Sequence, residues 1–238
     1  MLSSLLGKAE INRQTKVADF PTGGFSHFGC QENLHRPCSQ IERRCKSLAR
    51  SLMDDDFRYS IDLSMAQARA EKIIECIKRL RENHDIRRFE YTNHLRLAPT
   101  EIPHSHPVLT LNTELYNPDE ILCEYLHEQM HWYEVRLGCA GEGSPLIAEL
   151  KRRCPQAPIG FPEGANDEYS TYLHLLVNWL EIEAASQFIA RERAEEIARK
   201  KRYYRWMYRT VLLDWRHLED LFRAYNIVPI TPAEQLAS

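Results

Sequence analysis

No stretch of this 238-residue chain is apolar over the roughly 20 residues that a membrane-crossing helix needs. The opening Met1-Leu2-Ser3-Ser4-Leu5-Leu6 has no basic lead and is too short for the apolar core of a signal peptide, so a cytoplasmic location is the expectation. A dominant charge is lacking as well. With 31 Lys and Arg against 34 Asp and Glu, the formal net charge is −3, and no global field points toward nucleic acid or an anionic membrane. The seven cysteines are odd in number and include no Cys-x-x-Cys, which favours reduced thiols over a disulfide framework. The group His27, Cys30, His35, Cys38 and Cys45 has spacings that fit no standard zinc module. Sustained periodicity is missing from residues 1 to about 38, where Pro21-Thr22-Gly23-Gly24 punctuates a loop.

The composition that is present, 43% hydrophobic and 27% charged, is that of a soluble globular protein with a core of useful size. Residues 1–60 read as an arm followed by a short helix of about 40 to 53, opened by the capping box Ser39-Gln40-Ile41-Glu42 and stopped by a solvated turn at Asp54-Asp55-Asp56. Residues 61–238 read as the main domain. A helix is predicted from Ser64 to Asn83, with Ile73, Ile74, Cys76, Ile77 and Leu80 as its core stripe. Alternation over Arg88–Leu97 predicts a half-buried strand, and Val108–Thr113 a second one. His104 and His106, between prolines, read as an exposed pair. Further helices are expected from Pro145 to Arg153, from near Asn166 through Glu181, and once or twice more before Tyr225. The fold class expected is α+β, predominantly helical, with a small sheet.

Between the second strand and Gly138 lies the informative stretch. Asn117-Pro118-Asp119-Glu120 opens a helix with an N-cap and a Pro at N1, Gly138 closes it, and His127-Glu128-Gln129-Met130-His131 sits in its middle. Histidines four apart stand one turn above each other on one helical face, so both imidazoles reach one metal ion. Glu128, at the edge of that face, is placed to hold a water and take its proton.

His127-Glu128-x-x-His131 resembles the zincin metallopeptidases, and a Glu-bearing helix downstream makes the chain similar to their gluzincin branch. The Gly-x-x-His that extends the metzincin pattern does not follow His131. The likeness implies a zinc ion, a peptide or protein substrate, a zincin-like domain, and a strand upstream of the motif helix that offers its backbone to an extended peptide.

Two histidines hold zinc weakly, and a catalytic site adds a third protein ligand while leaving a position for water. At about 100° per residue, Asp167, Thr171, His174, Asn178 and Glu181 share a band of roughly 80° on the helix after Asn166. Glu168 lies to one side of that band. The gluzincin resemblance favours Glu168, with Thr171 standing where an acidic partner is usual. His174 competes as a ligand or as a donor to the oxyanion, and Tyr169 and Tyr172 are further donors to consider.

Three functions follow. In the first, His127, His131 and Glu168 hold Zn²⁺, Glu128 is the general base and His174 or a tyrosine stabilises the oxyanion. In the second, the same two histidines and Glu168 hold Fe²⁺ for a 2-oxo-acid-dependent oxygenase, although such sites draw on a β-barrel that a strand-poor chain does not form. In the third, the motif is vestigial and the basic, aromatic run Arg199–Arg209 serves a binding surface, without nucleic acid as the expected partner.

Overall fold

The computed structural model of the protein describes residues 57–61, 67–99, 101–115 and 117–227. The short helix and the His/Cys group expected before residue 57 lie outside the described residues. Seven α-helices and three strands are found among the described residues: β1 (Arg58–Ile61), α1 (Gln67–Asn83), β2 (His94–Leu97), β3 (Leu109–Leu111), α2 (Pro118–Leu137), α3 (Pro145–Arg153), α4 (Glu168–Ala185), α5 (Arg191–Lys200), α6 (Arg205–Leu213) and α7 (Trp215–Ala224). The architecture is α+β and mostly helical. No described helix is long and apolar enough to cross a membrane. Cys76, Cys123, Cys139 and Cys154 are free thiols.

The three strands form one parallel sheet in the order β1-β2-β3, with Arg58 opposite His94 and Leu95 opposite Leu109. A parallel pair needs a crossover of a dozen or more residues, and α1 supplies it between β1 and β2. β1 was not anticipated: the expected domain boundary after residue 60 falls inside it. The strand expected over Arg88–Leu97 is also shorter than its alternation suggests. Only His94–Leu97 pairs as strand, and Arg88 and Phe89 belong instead to a 3-10 turn over Ile86–Phe89 that buries Ile86 and Phe89. The strand before the motif helix is present as β3, but its outer edge is not open to a peptide at Thr110. His104 occupies it, donating its N–H to the Thr110 carbonyl at 3.0 Å and accepting the Thr110 N–H at 2.7 Å.

Helix α2 begins and ends where its sequence signals stand. Asn117 caps it by accepting the Asp119 N–H, and Gly138 ends it at φ 64°, donating to the Glu134 carbonyl, a left-handed conformation that glycine enters without a Cβ penalty. Eleven of its residues are buried, from Ile121 round to Glu134. A helix buried on all sides belongs at the centre of its domain. Its main neighbour is α4, buried almost continuously from Thr171 to Ala185.

Gln129, fully buried within the motif, joins α2 to the chain entering β2. Its Oε1 accepts the N–H groups of Tyr91 (2.7 Å) and Thr92 (3.0 Å), and its Nε2 donates to the Thr92 carbonyl (2.8 Å). Trp132 adds a bond to the Ser105 carbonyl, and Tyr125 one to Glu90, which in turn pairs with buried Arg81. These ties fix the motif helix against the sheet. Gln129→Leu keeps the volume but leaves buried backbone groups unpaired, so urea unfolding is expected to show a loss of about 2–4 kcal/mol.

Candidate metal centre

Helices α2 and α4 run antiparallel, and this brings three imidazoles together. His131 faces His174 with ring centroids 4.9 Å apart, and His127 lies 5.6 Å from His174 and 5.1 Å from His131. One ligand atom from each of the three lies within 4.8 Å of the others. The group can hold a metal ion. His127 and His174 are buried, while His131 keeps partial exposure.

Hydrogen bonds on the far side of two rings decide which nitrogens face inward. The His127 Nδ1 lies 2.9 Å from Glu181 Oε2, and the His174 Nδ1 lies 2.6 Å from the Ser170 carbonyl oxygen. Both partners only accept, so each Nδ1 carries the hydrogen and each Nε2 presents a lone pair. That is how a histidine is prepared as a metal ligand, with its tautomer set by a carboxylate or carbonyl behind it. The donor set therefore fits a borderline-soft divalent ion such as zinc.

Glu181, 1% exposed, is itself held by other elements. The Tyr208 hydroxyl donates to its Oε2 at 2.5 Å, and the Lys201 ammonium stands 3.7 Å from its Oε1 while also pairing with Glu124. Burial works against its charge, but Lys201, His127 and Tyr208 outweigh it and keep the carboxyl below its usual range. On His127, burial disfavours the cation, yet the bond to Glu181 and the field of Glu128 leave its pKa raised. The other two rings respond oppositely. Burial and the neighbouring imidazoles push His131 well below its ordinary value and His174 down to about 3, so both stay neutral and ready to ligate.

Glu128, next to His127 in α2, is 3% exposed. Burial pushes its carboxyl up to about 8, with Glu124 adding to the rise and His127 opposing it. His127 and Glu128 line a cavity of about 450 Å³. One wall comes from the turns around Pro103 and Asn112 and from the first half of α2, the other from Phe161, the end of α5 and the aromatic turn Tyr203-Tyr204. Tyr204 is the residue at which the chain turns into α6, in a left-handed conformation (φ 59°, ψ 29°) that bulky side chains rarely adopt.

The residues expected at the site are thus partly reunited. His127, His131 and Glu128 lie together, and His174 joins them as the third imidazole. Glu168 does not. In the first turn of α4, six residues before His174, it points to another side of the helix and pairs with Lys151 at 2.5 Å, its side chain 56% exposed. A surface ion pair explains this carboxylate, and the ligand role expected for it is not supported by its position. Tyr169 and Tyr172 donate their hydroxyls to the carbonyls of Ala140 and Cys154, away from the imidazoles. His104 is spent on the Ile102 carbonyl and His106 stacks on Trp132 at 4.2 Å.

Comparison with known proteins adds no relative. No family model, no curated protein and no solved structure matches this chain. The assignment of roles therefore stands on geometry alone. The polar band on α4 was visible in sequence and contains both His174 and Glu181, two turns apart on one face. Lys201, Tyr204 and Tyr208 were not foreseen, because an aromatic and basic run of this kind reads equally well as a packed surface helix.

Metal analysis of the purified protein and three variants checks the ligand set. His174→Ala is expected to lose the ion and Glu168→Ala to keep it. Glu181→Gln, which removes the charge behind His127, is expected to weaken affinity by about 10–100-fold in a competitive chelator titration.

Proposed function

We propose that this protein is a zinc-dependent hydrolase of peptide or amide bonds, with a zincin-like site in which His174 takes the place of the carboxylate ligand. The observation that carries this reading is the placement of Glu128. The carboxylate lies in the electrostatic field of His127, one of three converging imidazoles, lines the same cavity as that ring, and has no hydrogen bond to any other described residue. A buried carboxylate left without a partner is costly, and one kept beside a ligand group is explained by work on a water.

Zinc bound to three histidines, with one position open, would lower the pKa of water toward neutrality and polarise a carbonyl group. The chain's own part follows from its residues. Glu128 accepts the proton of the water as its oxygen bonds to the carbonyl carbon, and returns that proton to the nitrogen as the C–N bond breaks. Its dehydrated setting raises its affinity for that proton. Glu181 keeps the His127 ring aimed and adds negative charge behind it, and Ser170 does the same for His174 without adding charge.

The iron reading loses the feature that suggested it, since the third group beside the two histidines is an imidazole and not a carboxylate. For the basic run of the binding-module reading, most cations are engaged within the protein. Arg199 and Lys200 pair with Glu195 and Glu196, Arg205 and Arg209 with Glu163, and Lys201 with Glu124 and Glu181. Little free positive charge remains there to attract a phosphate backbone.

Glu128→Gln is the test. Incubated with a mixed peptide library and followed by mass spectrometry, the zinc-loaded wild type is expected to cleave and the variant to lose at least about 10²-fold of that rate, with zinc content unchanged. Equal cleavage by both proteins at equal zinc content would overturn the mechanism.

A further inference from the structure

Tyr204 is held in place more firmly than packing alone requires. The chain turns there from α5 into α6 in the left-handed region, and the start of α6 is bonded to the proline-rich loop before α4. Arg205 N–H donates to the Pro162 carbonyl at 3.0 Å and Trp206 N–H to the Glu163 carbonyl at 3.2 Å. That loop is itself tightly wound. At Gly164 a Cβ would stand 2.0 Å from the Pro158 carbonyl oxygen, so no larger residue fits without moving backbone.

The ring so positioned lies on the candidate ligands. Its centroid is 4.2 Å from that of His174, and it stacks within 16° of the His127 plane at 6.2 Å, with Phe161 at 5.6 Å behind it. The residue lines the same cavity as His127 and Glu128. Its hydroxyl makes no hydrogen bond to any described residue, whereas those of Tyr169, Tyr172 and Tyr208 are each committed to a carbonyl or carboxylate. The neighbouring Tyr203 is 48% exposed at the cavity mouth.

We propose that Tyr204 is a catalytic residue of this site, its hydroxyl donating a hydrogen bond to the substrate oxygen that becomes anionic when water adds to the carbonyl carbon. The inference rests on the hydrolase reading above. Tyr204 keeps its own proton throughout: the π pair of the C=O bond moves onto oxygen, the hydroxyl stabilises it there, and the pair returns to re-form the carbonyl as the C–N bond breaks. A donor fixed before the reaction and aimed where charge develops is the arrangement that lowers such a barrier most.

Tyr204→Phe keeps the ring stack and removes only the donor. With the peptide library's best substrate, kcat is expected to fall about 10²–10³-fold while KM, zinc content and melting temperature hold. In a second measurement the metal is cobalt(II) and the probe is inorganic phosphate, a tetrahedral oxyanion, followed through the visible absorption of the ion. The variant is expected to bind phosphate about tenfold more weakly and neutral imidazole equally well, as expected when a hydrogen bond to an anion is lost. Unchanged kcat together with unchanged phosphate affinity would overturn the role of Tyr204 and leave the hydrolase reading intact. A wild type that cleaves nothing in the library fails the hydrolase reading instead. In that event equal phosphate affinity removes Tyr204 as a donor as well, and weaker binding in the variant keeps it as an anion donor at a metal centre of other function.

Discussion

One buried carboxylate holds the site together. Glu181 lies inside the α2–α4 contact, where an unpaired charge would be strongly unfavourable, and it is tolerated because an imidazole, a phenol and an ammonium converge on it. His127 comes from α2, Tyr208 from α6, and Lys201 from the turn after α5. Elements separated by as many as 81 residues along the chain are thereby locked to a common point. Removing any one partner leaves the others with a buried charge less well compensated, so the orientation of the His127 ring depends on elements that supply no metal ligand themselves.

The two helices that carry the imidazoles were legible in sequence for different reasons. Helix α2 declares its ends through Asn117, Pro118 and Gly138, and its motif through a spacing that only a helix turns into a face. Helix α4 declares its polar band, but a helical wheel cannot say which side of the band meets a neighbour. Glu168 was the favoured third ligand and His174 its competitor, and it is the antiparallel crossing that puts His174 opposite His131 and leaves Glu168 at the surface beside Lys151. A first-turn glutamate is favoured by the helix dipole wherever it occurs, and that local preference imitated a ligand.

Elsewhere the gaps have similar causes. The parallel sheet depends on pairing between separate segments, Arg58 with His94 and Leu95 with Leu109, and strand direction leaves no periodic mark. The strand expected over Arg88–Leu97 overlaps the end of a 3-10 turn at Ile86–Phe89, where one buried Phe89 fits either a turn or a strand. Lys201, Tyr204 and Tyr208 belong to a run whose composition suits a wet helix, and its inward half becomes visible only when Glu181 and the three imidazoles are in view. Local signals marked where elements begin and end; the site came from the way distant elements cross.

The bridge between His104 and Thr110 has a consequence of another kind. Among the described residues β3 is the last strand of the sheet on its side, and an open strand edge is a template on which a second chain can add. By folding the His104 segment back on Thr110 in both directions, the protein closes that position with its own backbone. The same contact that denies β3 to an extended substrate there also denies it to another copy of the protein, and so guards this edge against chain-to-chain aggregation.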